Sequence, residues 1–141
     1  MVYWNYGDYL GIGPGAHSRI SFAADNGLLG MQAVEMVYNP QKWLEETSMQ
    51  SQSIKQLQIL TSQEIITEIL MMGLRLSTGI TSDVLTSFCG KDFLALIKPG
   101  IIRDLIEQNL LQIQNARQSL TQKGLALHSS IVVALMDNVI Y

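Results

Sequence analysis

The stretch Thr-Ser-Gln-Glu-Ile-Ile-Thr-Glu-Ile-Leu-Met-Met-Gly-Leu-Arg-Leu, residues 61–76, carries the strongest helical pattern of the chain. Thr61 and Glu64 have the spacing of a capping box, in which a hydroxyl and a carboxylate satisfy backbone N–H groups of the first helical turn. The apolar residues that follow are spaced for one broad helical face. We therefore expect a mostly buried helix with a domain built around it.

Two more helices are predicted after this segment. Gly79 ends the first helix, and Thr81 or Ser82 begins a second helix that ends at Gly90, since glycine is the usual residue at a helix C-terminus. A third helix begins at Pro99 and continues to about residue 108, because proline suits the first helical position. Its apolar stripe consists of Ile102, Leu105 and Ile106.

The last part of the chain predicts a hairpin followed by a helical region. Residues 110–114 and 119–121 form its strands, residues 115–118 its turn, and Thr121 caps a region that continues to about residue 136. The order helix, helix, helix, hairpin, helix is that of a winged-helix domain. We assign this winged-helix-like C-terminal domain to residues 53–141.

The first 52 residues have a different character. Six of the eleven glycines lie within residues 1–38, and residues 9–18 indicate a short strand that runs into a glycine-controlled loop. A second extended stretch is predicted over residues 31–37, a short helix over residues 39–46, and a polar linker over residues 48–53. The predicted fold class is α+β, mainly helical, with a small β-rich segment over residues 1–52.

Composition excludes several functions. A net charge of -3, from 9 basic and 12 acidic residues, gives no general attraction for nucleic acid. The single cysteine, Cys89, cannot form an internal disulfide or a Cys-based zinc or iron–sulfur site, and it favours a reducing cytoplasm. No apolar run approaches the roughly 20 residues that cross a bilayer. We expect a cytoplasmic protein without a membrane span or a metal site of its own.

Three segments resemble one known family, the radical-SAM oxygen-independent coproporphyrinogen III oxidase-like proteins and their haem-chaperone relatives, the HemN/HemW type. The first is Tyr3-Trp4 followed by Gly-Asp-Tyr-Leu-Gly-Ile-Gly-Pro-Gly-Ala-His-Ser at residues 7–18. The second is Glu-Ile-Leu-Met-Met-Gly-Leu-Arg-Leu at residues 68–76, with Gly79-Ile80 after it. The third is Leu-Thr at residues 120–121 with Lys-Gly-Leu at residues 123–125.

This resemblance implies that residues 1–52 complete a radical-SAM barrel and that the chain is the C-terminal part of such a protein, without its catalytic half. Haem chaperones of the family carry a His-Asn pair, two residues, then Tyr-Trp, so Tyr3 and Trp4 would end that motif. The family's three cluster cysteines lie far upstream of the matching region. The basic residue usual after the glycine loop is missing near residues 30–32, which weakens any contact with an anionic substrate there.

Seven residues are the predicted cofactor-binding residues, and no catalytic residue is expected. Aromatic rings can stack on a porphyrin, and glycines permit a close approach to S-adenosylmethionine. The histidine is a candidate iron ligand or propionate contact, or else it closes the loop through a backbone hydrogen bond. The residues are Tyr3, Trp4, Gly11, Gly13, Gly15, Ala16 and His17.

Four other side chains are predicted to have structural roles or none. Glu68 and Arg75 share a helical face and are predicted to hold the helix to the barrel by ion pairs. His128 is predicted to be a partly buried packing residue, and Cys89 to be inert.

The implied function is to help cover the tetrapyrrole and cofactor site of a radical-SAM haem chaperone or coproporphyrinogen oxidase. The parent protein would use a [4Fe–4S] cluster, S-adenosylmethionine and haem or another tetrapyrrole, and the missing barrel would be the main partner of this chain. The chain alone would be inactive. Haem transfer and oxidase activity both stay open, and so does the alternative of an independent winged-helix interaction or DNA-binding module.

Overall fold

The computed structural model describes residues 5–49 and 53–141, and the fold within these residues is α+β. It contains seven helices and six strands, arranged as two three-stranded antiparallel sheets with helices packed between and beside them. The coarse fold class predicted from the sequence is therefore correct. Within the described ranges, every helix is too short or too polar to cross a bilayer.

The first sheet is formed by β1 (His17–Ala23), β2 (Leu29–Met36) and β3 (Ile54–Ile59), in the order β1-β2-β3. Its antiparallel register places His17 opposite Glu35. The predicted strand over residues 31–37 corresponds to β2. One face of this sheet packs against the helices that follow, and Met31 is fully buried there.

Helix α1 (Pro40–Ser48) lies between β2 and β3 in the sequence. The side chain of Asn39 accepts hydrogen bonds from the backbone N–H groups of Gln41 at 3.0 Å and Lys42 at 3.1 Å. Because Asn at the N-cap and Pro at N1 are both local signals, this helix was predicted correctly apart from its last two residues.

Strand β3 was not predicted. We expected a polar linker followed directly by helical structure, but residues 54–59 pair with β2 along their length. Leu57 and Ile59 are more than half exposed, so the strand lacks the buried side chains that a sequence pattern reveals. Its formation depends on the partner strand about twenty residues earlier in the chain.

Helix α2 (Ser62–Gly73) begins with the predicted capping box. The N–H of Thr61 donates to Glu64 Oε2 at 2.7 Å, and the N–H of Glu64 donates to Thr61 Oγ1 at 3.3 Å. Ile66, Ile69 and Leu70 are at most 2% exposed, so this helix is the centre of the hydrophobic core.

A compact helical unit follows α2. It consists of β4 (Ile80–Thr81), α3 (Ser82–Cys89), α4 (Phe93–Leu96) and α5 (Pro99–Glu107). Gly90 ends α3 in the left-handed conformation, with φ +69°, as predicted from its position.

The apolar stripe predicted for α5 needs one correction. Ile102 and Leu105 are buried in the core, whereas Ile106 is 44% exposed. The buried face of α5 is therefore narrower than the sequence pattern indicated, and Ile106 lies at the edge of that face.

The second sheet consists of β4, β5 (Leu111–Gln114) and β6 (Arg117–Leu120), in the order β4-β6-β5. The hairpin turn is two residues, Asn115 and Ala116, with φ of 50° and 59°. These positive values match the tight turn that joins twisted strands. The four-residue turn predicted from the sequence was too long, since residues 117 and 118 already pair with β4 and β5.

Two helices complete the chain, α6 (Gln122–Ala126) and α7 (His128–Met136). Thr121 caps α6 as predicted, because its hydroxyl accepts a hydrogen bond from the N–H of Gly124 at 3.0 Å. The end of the chain returns to the core: Ile97 forms a β-bridge with Val139, and Leu135 is fully buried.

His128 makes folding sensitive to moderately acidic pH. Burial lowers its pKa below the usual 6.5, the nearby Arg75 lowers it further, and a backbone hydrogen bond with Met71 opposes the shift. A group with a depressed pKa stabilises the fold above its unfolded pKa and loses that contribution as the pH falls. We expect the free energy of unfolding, measured in urea, to fall between pH 7.5 and pH 5.5.

The same measurement on His128→Gln isolates this residue. The variant should show a flatter dependence in that range, because Glu35 and Glu64 have pKa values below 4.5 and titrate at lower pH. An equally steep dependence in the variant would contradict the assignment to His128.

Candidate functional site

The glycine loop occupies residues 10–16, immediately before β1. Tyr9 and Arg19 form a β-bridge, with hydrogen bonds from the N–H of Tyr9 to the Arg19 carbonyl at 2.9 Å and from the N–H of Arg19 to the Tyr9 carbonyl at 3.0 Å. The N–H of Gly11 donates to Ser18 Oγ at 3.0 Å, and Ser18 is 2% exposed. These hydrogen bonds therefore hold the two ends of the loop together.

Two of the three candidate glycines are required by the packing of the chain itself. A Cβ on Gly11 would meet the carbonyl of His17, and a Cβ on Gly15 would lie 2.7 Å from the ring of Tyr38. Gly13 differs, since nothing lies within 4 Å of the position where its Cβ would be. Of the three, only Gly13 leaves space for another molecule to approach the backbone.

His17 lies at the junction of the loop and β1, next to Ala16, and its side chain is exposed. Ser18, and not His17, closes the loop, because its hydroxyl accepts the hydrogen bond from the N–H of Gly11. The exposed imidazole instead lines a cavity between the first sheet and α2. The backbone of His17 lies opposite that of Glu35, which lines the same cavity.

This cavity has a volume of about 630 Å³, and most of the residues that line it carry polar or charged side chains. The first two strands contribute His17 and Glu35, β3 contributes Gln56 and Gln58, and α2 contributes Glu68. Hydrogen-bond donors, hydrogen-bond acceptors and charged groups of both signs thus surround one concave space. Such a surface can orient a polar ligand or an amide-bearing segment.

Arg19 and Glu68 form a bidentate ion pair on one side of the cavity. Arg19 Nη2 donates to Glu68 Oε1 at 2.7 Å, and Arg19 Nε donates to Glu68 Oε2 at 3.1 Å. The side chains are 17% and 20% exposed. The ion pair joins β1 to α2, so Glu68 does form an ion pair, while its predicted role in holding the helix to a barrel stays a prediction. The ion pair predicted for Arg75 is not formed with the described residues.

Tyr6 extends this cluster into the core. Its hydroxyl donates to Glu68 Oε2 at 3.1 Å, and its ring meets Phe88 edge to face, with a centroid distance of 5.2 Å. Burial, followed by the negative charge of Glu68, raises the pKa of Tyr6 far above its usual 10. Tyr6 therefore stays neutral and acts as a donor, which anchors the start of the described chain to α2 and α3.

Glu35, which lines the cavity, belongs to a second charged cluster. Lys55 Nζ donates to Glu35 Oε1 at 3.0 Å and lies 4.4 Å from the centre of the Tyr38 ring. The Lys55 ammonium, followed by a hydrogen bond from Tyr38, holds the pKa of Glu35 below its ordinary value. Glu35 is thus ionised at neutral pH and already paired, so it is poorly suited to proton transfer.

The predicted cofactor residues are only partly brought together. Gly11, Gly13, Gly15 and Ala16 lie in the glycine loop, and His17 follows at the start of β1. Tyr3 and Trp4 lie outside the described residues. Sequence reasoning missed Ser18, Arg19 and Tyr6 as parts of the site. Neither Tyr6 nor Arg19 gives a local sequence signal of its partner, Glu68.

An iron–sulfur cluster does not fit the part of the chain that the structure describes. No group of three or more His, Cys, Asp or Glu side chains there is arranged to hold a metal ion. Cys89 is half-buried, and burial raises the pKa of its thiol above the usual 9.0, which disfavours the thiolate that binds metals.

Fold and site together define a small α+β protein region in which a glycine loop borders a polar cavity. Residues 60–127 match the model of the HemN C-terminal domain family. The resemblance of the chain to radical-SAM proteins of the HemN/HemW type is therefore confirmed.

Several known proteins are similar along nearly the whole chain. Radical S-adenosyl methionine domain-containing protein 1, mitochondrial, of Bos taurus is 29% identical over 96% of this chain and 31% of that protein. Heme chaperone HemW of Bacillus subtilis is 24% identical over 96% of this chain and 33% of that protein. The chain thus spans about a third of the length of these relatives.

A solved structure supports the fold alone. The coproporphyrinogen III oxidase HemN of Escherichia coli, described as a radical SAM enzyme, superimposes with a TM-score of 0.54 at 16% identity. The superposition covers 92% of this chain and 28% of that chain.

Proposed function

We propose that this chain acts as the C-terminal region of a radical-SAM protein of the HemN/HemW type and helps to cover its tetrapyrrole and cofactor site. The carrying observation is that 96% of the chain matches proteins about three times its length. The catalytic chemistry, with the [4Fe–4S] cluster and S-adenosylmethionine, belongs in this proposal to the remaining two thirds. The chain alone is inactive.

The proposed barrel side of the chain consists of the glycine loop and the first sheet. Leu10 is 73% and Ile12 90% exposed, and both lie on the loop. Leu57 and Ile59 add exposed apolar surface on β3. Apolar surface of this extent favours contact with another protein surface, here the barrel.

The proposed division into two parts needs an adjusted boundary. The sequence placed it at residue 52, but β3 pairs with β2 and so belongs with the first sheet. The family match begins at residue 60. We therefore propose a barrel-side segment up to residue 59 and a C-terminal domain from residue 60.

We also propose a winged-helix-like topology for that domain. The order α2, β4, α3, α5, β5, β6, with β4 beside β6, supports this assignment. DNA reading is not favoured, because Arg103 on α5 is flanked by Asp104 and followed by Glu107. A cytoplasmic location stays a prediction, and the Bos taurus relative is named as mitochondrial.

The proposed tetrapyrrole and cofactor contacts are those predicted from the sequence. Gly13 offers open backbone and His17 an exposed imidazole, and Tyr3 and Trp4 precede them in the chain. Gly11, Gly15 and Ala16 contribute by shaping the loop. His17 is the contact that a single substitution tests most directly.

The test replaces the matching third of the Bacillus subtilis relative with this chain and titrates the chimera with haem, followed by Soret absorption. We expect the chimera to bind haem and the isolated 141-residue chain to bind weakly or not at all. His17→Ala in the chimera should weaken binding about fivefold or more, since it removes a polar contact or ligand.

Ser21→Ala on the same strand is the matched control and should leave binding unchanged. A folded chimera that fails to bind haem would contradict the proposal. A tight stoichiometric complex of the isolated chain, abolished by His17→Ala, would show that the chain itself is a complete haem site.

A further inference from the structure

An apolar groove lies between α4 and α5, and none of its residues belongs to the glycine loop or to the cavity beside it. The groove has a volume of about 580 Å³ and is lined by Leu94, Pro99, Ile102, Arg103, Ile106 and Glu107. Leu94 is 56% and Ile106 44% exposed. The outer face of α5 thus carries apolar side chains that the core of this chain does not cover.

Two opposite charges border this groove. Arg103 and Glu107 are exposed and four residues apart, so they lie on one face of α5, roughly 6 Å apart along the helix axis. In the part of the chain that the structure describes, neither side chain forms an ion pair or a hydrogen bond. Both charges are therefore available to a partner.

The position of Glu107 favours a cation from outside α5. Glu107 is the last residue of this helix, and the last turn contains no basic residue. The C-terminus of a helix carries partial negative charge, so a carboxylate there is unfavourable and a nearby cation is stabilising. Arg103 precedes Glu107, which is the less favourable order for an ion pair within one helix. A guanidinium group from a second molecule therefore improves the electrostatics of this helix end.

A second copy of α5 supplies both charges in the required order. In an antiparallel pair of α5 helices centred at the level of residue 105, Arg103 of one copy lies opposite Glu107 of the other. The two-fold symmetry of the pair creates the same contact a second time. The two Ile106 side chains then lie close to the two-fold axis, between the charged pairs. A parallel pair would instead place like charges opposite each other.

We propose that this groove is a homodimer contact in which the α5 helices of two copies pack antiparallel. Leu94 and Ile106 provide the apolar contact, and the two Arg103–Glu107 pairs fix the direction and the register of the helices. Only α4 and α5 of each copy take part, so the interface is smaller than that of a stable complex and the dimer is weak. A second copy is the favoured occupant because the charge pattern is complementary to itself.

The test is sedimentation of the 141-residue chain at concentrations from about 20 µM to about 1 mM. We expect the average mass to rise from that of a monomer toward that of a dimer over this range. Arg103→Glu and Glu107→Arg should each raise the apparent Kd at least about tenfold, because each variant places like charges opposite one another in its own dimer.

Mixing these two charge variants tests the antiparallel register directly. In a heterodimer of Arg103→Glu with Glu107→Arg, both charged contacts again join an acidic to a basic side chain. The equimolar mixture should therefore associate at least as strongly as the unchanged chain, although each variant alone does not. Thermal melting of each variant checks that it is folded, as expected for changes at exposed positions.

Ile106→Asp tests the apolar part of the contact. It places a carboxylate between the two helices and should abolish the association. Val133→Asp is the matched control, since Val133 is 59% exposed on α7 and the change in charge is the same. This control should associate as the unchanged chain does.

The proposal is independent of the tetrapyrrole function, and its failure would leave that function untouched. It is overturned if the unchanged chain stays monomeric over the whole concentration range, which would leave the groove to a different protein. It is equally overturned if the dimer persists in Ile106→Asp and in both charge variants. A mixture of the two charge variants that stays monomeric would contradict the antiparallel register and overturn the proposal as well.

Discussion

Gly124→Ala is expected to destabilise the fold by about 3 kcal/mol, because a side chain there has no space to occupy. A Cβ on Gly124 would meet the carbonyl group of Leu110 and would lie 3.2 Å from the Cβ of Leu120. The same carbonyl oxygen of Leu110 accepts a hydrogen bond from the N–H of Thr121 at 3.0 Å. The obstacle is therefore main chain, which cannot rotate away as a side chain does.

Urea unfolding at neutral pH measures this loss, and Gly100→Ala is the matched control. Gly100 lies in the first turn of α5, has no positive φ, and has nothing within 4 Å of its Cβ position. Alanine there should be neutral or stabilising by about 0.5 kcal/mol, since it restricts the unfolded chain. Equal stability of the two variants would show that the contact between α6 and residue 110 is looser than described.

Arg19→Met is expected to cost about 2 kcal/mol, because it leaves the half-buried carboxylate of Glu68 without its cation. Among the described residues, the remaining hydrogen-bond partner of Glu68 is the hydroxyl of Tyr6, a single donor. The ion pair joins β1 to α2, so its loss should also loosen the glycine loop against the C-terminal domain. In an NMR spectrum, the signals of His17 should shift or broaden in this variant.

A double-mutant cycle with Glu68→Gln identifies the interaction. The double variant should lose less stability than the sum of the two single variants, since neither charge is then left alone. Lys42→Met is the surface control: the Lys42–Glu46 distance is 3.9 Å and the Lys42 side chain is 64% exposed, so its effect should stay below about 0.5 kcal/mol. Strict additivity of Arg19→Met and Glu68→Gln would contradict the coupling.

The sequence signature at residues 120–125 has a direct structural explanation. The Thr121 hydroxyl accepts from the N–H of Gly124, Gly124 packs against residue 110, and Lys123 Nζ donates to the Gln108 carbonyl at 3.0 Å. Each of the three recognisable positions thus fixes the start of α6 against the end of α5 and the hairpin. The motif that pointed to the family is a packing motif in this chain.

The candidate site was predicted less completely than the fold. The glycine loop and His17 were found because glycines and histidine are conspicuous in sequence. Ser18, Arg19 and Tyr6 were missed, since their partners Gly11 and Glu68 have no sequence pattern that links them. The contribution of Tyr3 and Trp4 lies outside the described residues and stays a prediction.

The sequence by itself determined the elements whose signals lie within one helical turn. The capping box of α2, the Asn39 cap, the glycine at the end of α3 and the proline at the start of α5 are all local, and each was predicted. The three segments that resemble the HemN/HemW-type family were also recognised from the sequence. A side chain at the N-cap accepts hydrogen bonds from backbone N–H groups two or three residues later. The local sequence is therefore enough to predict where such a helix begins.

Only the tertiary structure decided the features that join distant residues. Strand β3 forms because it pairs with the edge of β2. Arg19 binds Glu68, which lies 49 positions later in the chain. Such contacts form because packing of the shared core brings distant parts of the backbone together. The pattern of residues around one partner does not indicate which distant residue will be the other.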